Sequence, residues 1–301
     1  MKVRIGYGLG VRTSLNDGGF LDVVDTLERL RFDSLWLSER IGGEAPDPLV
    51  AMSMAAARTT RLKVGMSVMV LPGRNPIILA KELATLDRMS NGRLLPAFGL
   101  GVADPHEQQA FGVERTKRAK MFNEALAVMR SCWMDDEVTF HGEHFHYDGL
   151  RVTPKPQQQP PDVWLGGIAE SELKRVGRLA DGWLPSFVTP SDAEAGWKTV
   201  QSVALEHERE IEDEHFGVLI PYVIGDPPAT LLAGLQARRP DLDDVSILVP
   251  SGWDALAQTI NQFISVGASK FVVVPFSEPG SVDAWNSHLE EAALHLLPLQ
   301  N

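Results

Sequence analysis

Eight times along the 301 residues, a short apolar run rich in β-branched side chains is followed by a longer amphipathic one. The runs at 3–9, 34–38, 62–71, 93–102, 162–167, 181–187, 216–223 and 269–276 read as strands. Those at 20–31, 47–58, 76–90, 115–134, 170–180, 192–213, 253–266 and 282–296 read as helices. The strands are apolar on both alternations. In LKVGMSVMVL (62–71), Val64, Met66, Val68 and Val70 fill one face, while Met69 and Leu71 enter the other. Strands buried on both faces belong to parallel sheets covered by helices. Eight such units predict an α/β fold closed into a (β/α)8 TIM barrel, a fold of typically about 250 residues. The rival is an open doubly wound sheet. Its G-x-G-x-x-G fingerprint is absent after the first strand, where GYGLG (6–10) has a different spacing.

Two stretches interrupt the rhythm, one after the fourth unit and one after the seventh strand. EVTFHGEHFHYDGL (137–150) reads as a polar hairpin, and RVTPKPQQQPPD (151–162) as a proline-rich connection. Residues 226–250 form the second excursion, with a short helix. Because DVWLGG (162–167) restarts the same rhythm, residues 1–301 read as one barrel domain.

The formal net charge of −12 and the absence of a basic run argue against a nucleic-acid partner and for solubility. The first ten residues are too glycine-rich for a signal segment, and no apolar run reaches about 18 residues, so a cytoplasmic location and no membrane partner are expected. Cys132, the only cysteine, ends a helical pattern and reads as a buried structural thiol.

A barrel of this kind carries its chemistry at the C-terminal ends of the strands. There the sequence puts Ser38-Glu39-Arg40, MVLPGRNP (69–76), GLGVADPHE (99–107), Gly166-Gly167, Pro185-Ser186, Tyr222 and Pro275. In VWLGGIAESELKRVGR (163–178) two glycines precede a helix start, whose free N–H groups can hold an anion. The other reading is a tight turn. Gly99, Gly101 and Ala103 either leave room for a flat ring or allow close packing. Asp104 either moves a proton or caps a helix beginning at Pro105. His106 either touches substrate or merely caps. Glu39 and Arg40 form either a rim ion pair or ligand contacts; a guanidinium suits an anionic ring or carboxylate better than proton transfer. His141, His144 and His146 invite a metal reading. Alternation along the expected hairpin puts His144 and His146 on one face and His141 on the other, so no metal is expected. No G-x-S-x-G or H-E-x-x-H occurs.

Several stretches resemble the luciferase-like monooxygenase superfamily, in particular its oxidoreductases that use the deazaflavin coenzyme F420. They are FDSLWLSER (32–40), GMSVMVLPGRNPIILAKELATLDRMSNGRL (65–94), PAFGLGVADPHEQQAFGVERTKRAKMFNEAL (96–126), VTFHGEHFHYDGLRVTPKP (138–156) and VWLGGIAESELKRVGRLADGWLP (163–185). The resemblance implies a (β/α)8 barrel, often dimeric, that binds flavin or deazaflavin at its mouth. It also implies a non-proline cis peptide between Ser67 and Val68, in a bulge backing the coenzyme ring. Met69 and Val70 would continue that wall, and Gly101, Val102 and Ala103 would lie along the other side of the ring. Gly166, Gly167, Ile168 and Ala169 would offer backbone amides to the phosphate. Glu39 matches an acidic position near the ring, and Asp104 a proton-handling carboxylate. Arg40 departs from the pattern: sugar-phosphate-oxidising members carry a histidine base there, so that activity is not expected. Arg74 and Lys174 are candidates for the coenzyme's acidic tail or for solvated surface.

The implied activity is hydride transfer between F420 and a small organic substrate, with a homodimer expected. The alternatives are an FMN-dependent monooxygenase served by a separate reductase, and a non-catalytic flavin-binding protein.

Overall fold

A computed structural model describes residues 1–13, 15 and 19–301. In chain order its regular elements are β1 (Arg4–Leu9), α1 (Gly19–Leu30), β2 (Ser34–Leu37), α2 (Pro48–Arg58), β3 (Lys63–Met66), β4 (Met69–Val70), α3 (Pro76–Met89), β5 (Leu94–Leu95) and β6 (Ala97–Gly99). Next come α4 (Pro105–Phe111), α5 (Arg118–Met134), β7 (Val138–His141), β8 (His146–Leu150), β9 (Trp164–Leu165), α6 (Glu170–Leu179), β10 (Gly182–Trp183) and α7 (Pro190–Glu206). The chain ends with β11 (Gly217–Tyr222), α8 (Ala229–Arg238), α9 (Trp253–Ser265), β12 (Lys270–Pro275) and α10 (Val282–Leu296).

The strand pairings run round a ring. In the order β11, β12, β1, β2, β3, β5 each strand lies parallel to the next, and β4, β6, β9 and β10 continue the circuit. Parallel bridges Trp183–Phe216 and Ser186–Leu219 join β10 back to β11. The result is the expected (β/α)8 barrel, with helices outside it. Two of its strands are each split in two, which the sequence pattern does not show. Residues 62–71 break between β3 and β4 at Ser67–Val68. Residues 93–102 break at Pro96, which has no N–H to give the ladder.

Helix starts follow local chemistry. Asp47 accepts from Val50 N ahead of Pro48, and Asn75 accepts from Ile77 and Ile78 N ahead of Pro76. α3 ends where Asn91 and Gly92 take positive φ and Gly92 N donates to Asp87 O at 2.8 Å. The expected helix 192–213 is shorter, ending at Glu206. Glu208 turns to φ 56°, and Arg209 donates to Gly177 O, Ala180 O and Asp181 instead of continuing outward.

The first excursion is the expected hairpin, β7 antiparallel to β8. The expected facing of its histidines is corrected: His141 pairs with His146, and their rings stack at 6.3 Å on one face. Alternation misleads because the register places these two opposite each other, leaving His144 in the turn. Among the described residues no cluster of three metal-ligating side chains occurs. No described helix is long and apolar enough to cross a membrane.

At the N-terminal end of the barrel, Lys270 is buried over the Trp36 and Trp164 rings and reaches Asp33 at 3.3 Å. Lys63 meets the same carboxylate at 3.1 Å. Burial would raise the Asp33 pKa, but the two ammonium groups hold it down to about 2.

Candidate functional site

At the C-terminal end of the strands a cavity of about 210 Å³ opens between the β3–β4 break and the loop after β9. Its first wall is Ser67–Val68, whose peptide bond is cis, as the resemblance implies. The end of β2 holds this segment. Ser67 N donates to Leu37 O at 2.8 Å, and Ser38 Oγ donates to Ser67 O at 3.2 Å. Val70 N donates to Glu39 Oε2 at 2.7 Å, while Arg74 donates to Val70 O and to the Glu39 carboxylate. The Val68 side chain packs onto Gly99 so closely that a Cβ there would lie 2.5 Å from it. Only glycine leaves that space.

The opposite wall is Gly166–Gly167 with two side chains from α6, Glu172 and Arg175. Gly167 has φ +97°, a left-handed conformation suited to glycine. Trp183 Nε1 donates to its carbonyl at 2.9 Å, fixing the loop. Phe98, Leu165, Leu184 and Leu219 provide an apolar lining. Two polar atoms of the lining residues are out of solvent and hydrogen-bond to no described residue: Ser67 Oγ and Arg175 Nε. Burial pulls the Arg175 pKa below its usual value, with the Glu172 charge acting against that shift. Its guanidinium still titrates far above neutrality and stays a cation.

Of the residues expected at the coenzyme, Ser67, Val68, Gly166 and Gly167 line this cavity. Met69 is fully buried, and Val70 packs beside Gly101. Gly101 gives its carbonyl to Arg118 Nη1 at 3.0 Å. Val102, Ala103, Ile168 and Ala169 are exposed around the rim.

The three residues expected to handle charge stand outside the lining. The Glu39 side chain is 4% exposed, and burial raises its pKa against the pull of Val70 N–H and Arg74. Asp104 caps α4, accepting from His106 N at 2.8 Å and Glu107 N at 3.2 Å. These amides, with Arg40 nearby, keep its pKa low. Arg40 lies 3.5 Å from Asp104 and 3.8 Å from Glu107.

Arg74 is engaged by Glu39, so it is not a solvated surface cation. Lys174 forms a surface pair with Glu170 at 2.5 Å. Cys132 is buried, and burial lifts its thiol to about 11, which leaves it unreactive. Tyr222 turns away from the mouth, hydrogen-bonding Tyr7 at 2.9 Å and His288 at 2.6 Å.

Sequence reasoning missed Phe98, Phe122, Glu172 and Arg175, all on the cavity wall, while Ser186, placed at the end of its strand, does line it. Helical spacing from the glycine pair was the available signal for Glu172 and Arg175, which stand three apart on one face of α6.

Residues 11–261 match the family model of luciferase-like monooxygenases. An F420-dependent glucose-6-phosphate dehydrogenase of Kineococcus radiotolerans is 29% identical over 192 residues, 60% of this chain and 56% of the relative. The chain spans about half the length of the curated relatives it matches, 51% for several mycobacterial proteins and 56% for the dehydrogenase. Two solved structures share the fold. The coenzyme F420-dependent tetrahydromethanopterin reductase of Methanopyrus kandleri has TM-score 0.78 at 18% identity, with 100% of both chains covered. The oxygenating constituent of 3,6-diketocamphane monooxygenase of Pseudomonas putida, in complex with FMN, has TM-score 0.81 at 16% identity, with 100% of this chain and 99% of that one covered.

Proposed function

The chain belongs to the luciferase-like monooxygenase family, and on that premise we propose that it is an oxidoreductase moving a hydride between coenzyme F420 and a small organic substrate. One barrel domain, residues 1–301, carries the reaction. The observation that supports this most is the cavity between Ser67–Val68 and Gly166–Gly167, with its two unpaired polar atoms, Ser67 Oγ and Arg175 Nε. Buried polar atoms without partners are costly, and a ligand with acceptor groups would satisfy both. Glycine backbone beside an arginine suits an anionic group. The residues present therefore fit a coenzyme that carries a ring and a phosphate.

When bound, a deazaflavin supplies two-electron chemistry as a hydride donor or acceptor. The protein supplies position and dielectric. Ser67 and Val68 would support the ring, with Met69 and Val70 continuing the strand behind it. Gly101, Val102 and Ala103 would border its other side. Gly166, Gly167, Ile168 and Ala169, with Arg175, would hold the phosphate. Phe98, Leu165, Leu184 and Leu219 would keep water from the reacting face.

Glu39 acts by positioning, since it grips Val70 N and Arg74 rather than facing the cavity. Arg40 and Asp104, paired at the rim, are the groups proposed to meet the substrate. Arg40 is a fixed cation and cannot serve as a base, which argues against sugar-phosphate oxidation. We also propose a homodimer, supported by the apolar side chains Val50, Met54, Ile78 and Met89 exposed on α2 and α3. Sedimentation giving a monomer at micromolar concentration would remove that assignment.

The deciding experiment is parallel titration with F420 and FMN, followed by fluorescence. Micromolar binding of F420 is expected. Binding of FMN alone would move the assignment to a flavin monooxygenase with a separate reductase. Binding of neither removes the proposal. Binding without turnover of any hydride acceptor would leave a flavin-binding protein.

A further inference from the structure

Glu172 lies within the cradle that the coenzyme reading assigns to phosphate. Its Oε2 accepts from Ile168 N and from Ala169 N, both at 3.1 Å. The carboxylate rests against the loop backbone, so that a Cβ on Gly167 would lie 2.6 Å from the same oxygen. An anion thus already satisfies these donors, and it belongs to the chain itself. Each N–H carries one proton, so a phosphate oxygen and this carboxylate cannot both take a full hydrogen bond from it. They also repel each other. Arg175 stands three residues on, along the same wall, with Nε unpaired and able to face either anion.

Resting on the coenzyme reading above, we propose that Glu172 is an internal competitor for the phosphate cradle. A phosphate-bearing ligand enters fully only when the Glu172 carboxylate leaves the Ile168 and Ala169 amides. The residue therefore sets how strongly the barrel discriminates between phosphorylated and unphosphorylated ring ligands. A carboxylate at the third residue of a helix that caps the amide ahead of the first turn is a common structural device, here one-sided because Ala169 has no side-chain acceptor. What distinguishes this one is that it opens onto the ligand cavity and shares a wall with an unpaired arginine.

The test compares wild type, Glu172→Gln and Glu172→Ala. Gln keeps an acceptor for the helix cap while removing the charge, so it guards against simple loss of α6. Affinities for F420, FMN and riboflavin are measured by fluorescence. Inorganic phosphate is titrated against the amide resonances of Ile168 and Ala169.

Charge-assisted bonds to two amides predict about tenfold tighter F420 or FMN binding in Glu172→Ala, and a smaller gain in Glu172→Gln, whose neutral oxygen still accepts from the two amides but no longer repels the phosphate. Riboflavin, which has a ring but no phosphate, should bind all three proteins alike. Phosphate should shift the two amides at lower concentration in the variants. Equal affinity of all three proteins for F420 or FMN overturns the competition and leaves the coenzyme reading standing. So does a gain that riboflavin shares. If none of the three binds coenzyme or phosphate, both readings fall.

Discussion

Arg175 is the cation best placed to hold an anionic ligand in this barrel, because it combines charge, partial burial and an unpaired donor in one cavity. Its guanidinium also lies over the Phe122 ring at 5.9 Å, which limits where it can turn. Replacing it by glutamine should weaken F420 or FMN binding about tenfold, the loss expected of one hydrogen bond to a charged group. Riboflavin affinity should not change. Calorimetric titration checks this, and an equal loss for riboflavin would mean that Arg175 supports the ring or the fold instead. The sequence drew attention to Lys174, whose charge is equally visible. One position along a helix is a rotation of about 100°, and that difference sends Lys174 to solvent and Arg175 to the cavity. Ser67 and Gly166–Gly167 were legible because a hydroxyl in an apolar run and a double glycine before a helix are local anomalies. Arg175 was harder to find: helical spacing puts it on the Glu172 face, but the Phe122 ring that fixes where it can turn comes from α5, far away in sequence.

The strand containing residues 62–71 is built as two short pieces hung on their neighbours. β3 pairs with β2 and β5, whereas β4, among the described residues, pairs only with β6. The join is held from β2 through Ser38 and Glu39. Glu39 is nearly inaccessible and carries both Val70 N–H and Arg74, so truncating it leaves a half-buried guanidinium and a backbone donor unmatched. Glu39→Ala should cost about 2–3 kcal/mol in urea unfolding, toward the low end for a broken buried pair because Arg74 keeps some solvent. It should also weaken ring binding, riboflavin included, since Ser67 and Val68 lose their anchor. Unchanged riboflavin affinity in a destabilised variant would separate Glu39 from the site. Hydrophobic alternation found this strand and its helix, as it found most of the others. It could not find the breaks at Ser67–Val68 and Pro96, because an apolar run reads as continuous whether or not its ladder is. The early end of α7 escaped for a similar reason. Residues 207–213 contain no glycine or proline, and the stop is imposed by Arg209 reaching the end of α6.

Across the whole molecule, the barrel separates its two charged centres. The mouth holds groups with unmet hydrogen bonds, as a binding site requires. The opposite end holds Asp33 between Lys63 and Lys270, each ammonium reaching one oxygen of the shared carboxylate. The eightfold rhythm predicted this polarity, since one end of the strands carries chemistry and the other stability. It did not reveal the Asp33–Lys270 contact, which joins residues from the first and last parts of the chain. Lys270 has a side-chain exposure of only 4%, and burial pulls its pKa down to about 8 against the pull of Asp33, so losing the carboxylate leaves a buried amine without its ionic partner. Asp33→Asn should therefore lower stability at pH 7 by about 3 kcal/mol in denaturant unfolding. The pH dependence has a definite sign. The folded Asp33 pKa, about 2, lies below the usual 3.8, so the carboxylate's contribution is present above about pH 4 and fades as pH falls through about 2. The gap between wild type and Asp33→Asn should narrow over that range. Coenzyme affinity at pH 7 should be the same in both proteins, because the substitution lies at the end of the barrel opposite the cavity. A constant gap down to pH 2 would remove the ion pair as its cause. A fall in affinity with the fold intact would show that the two ends are coupled.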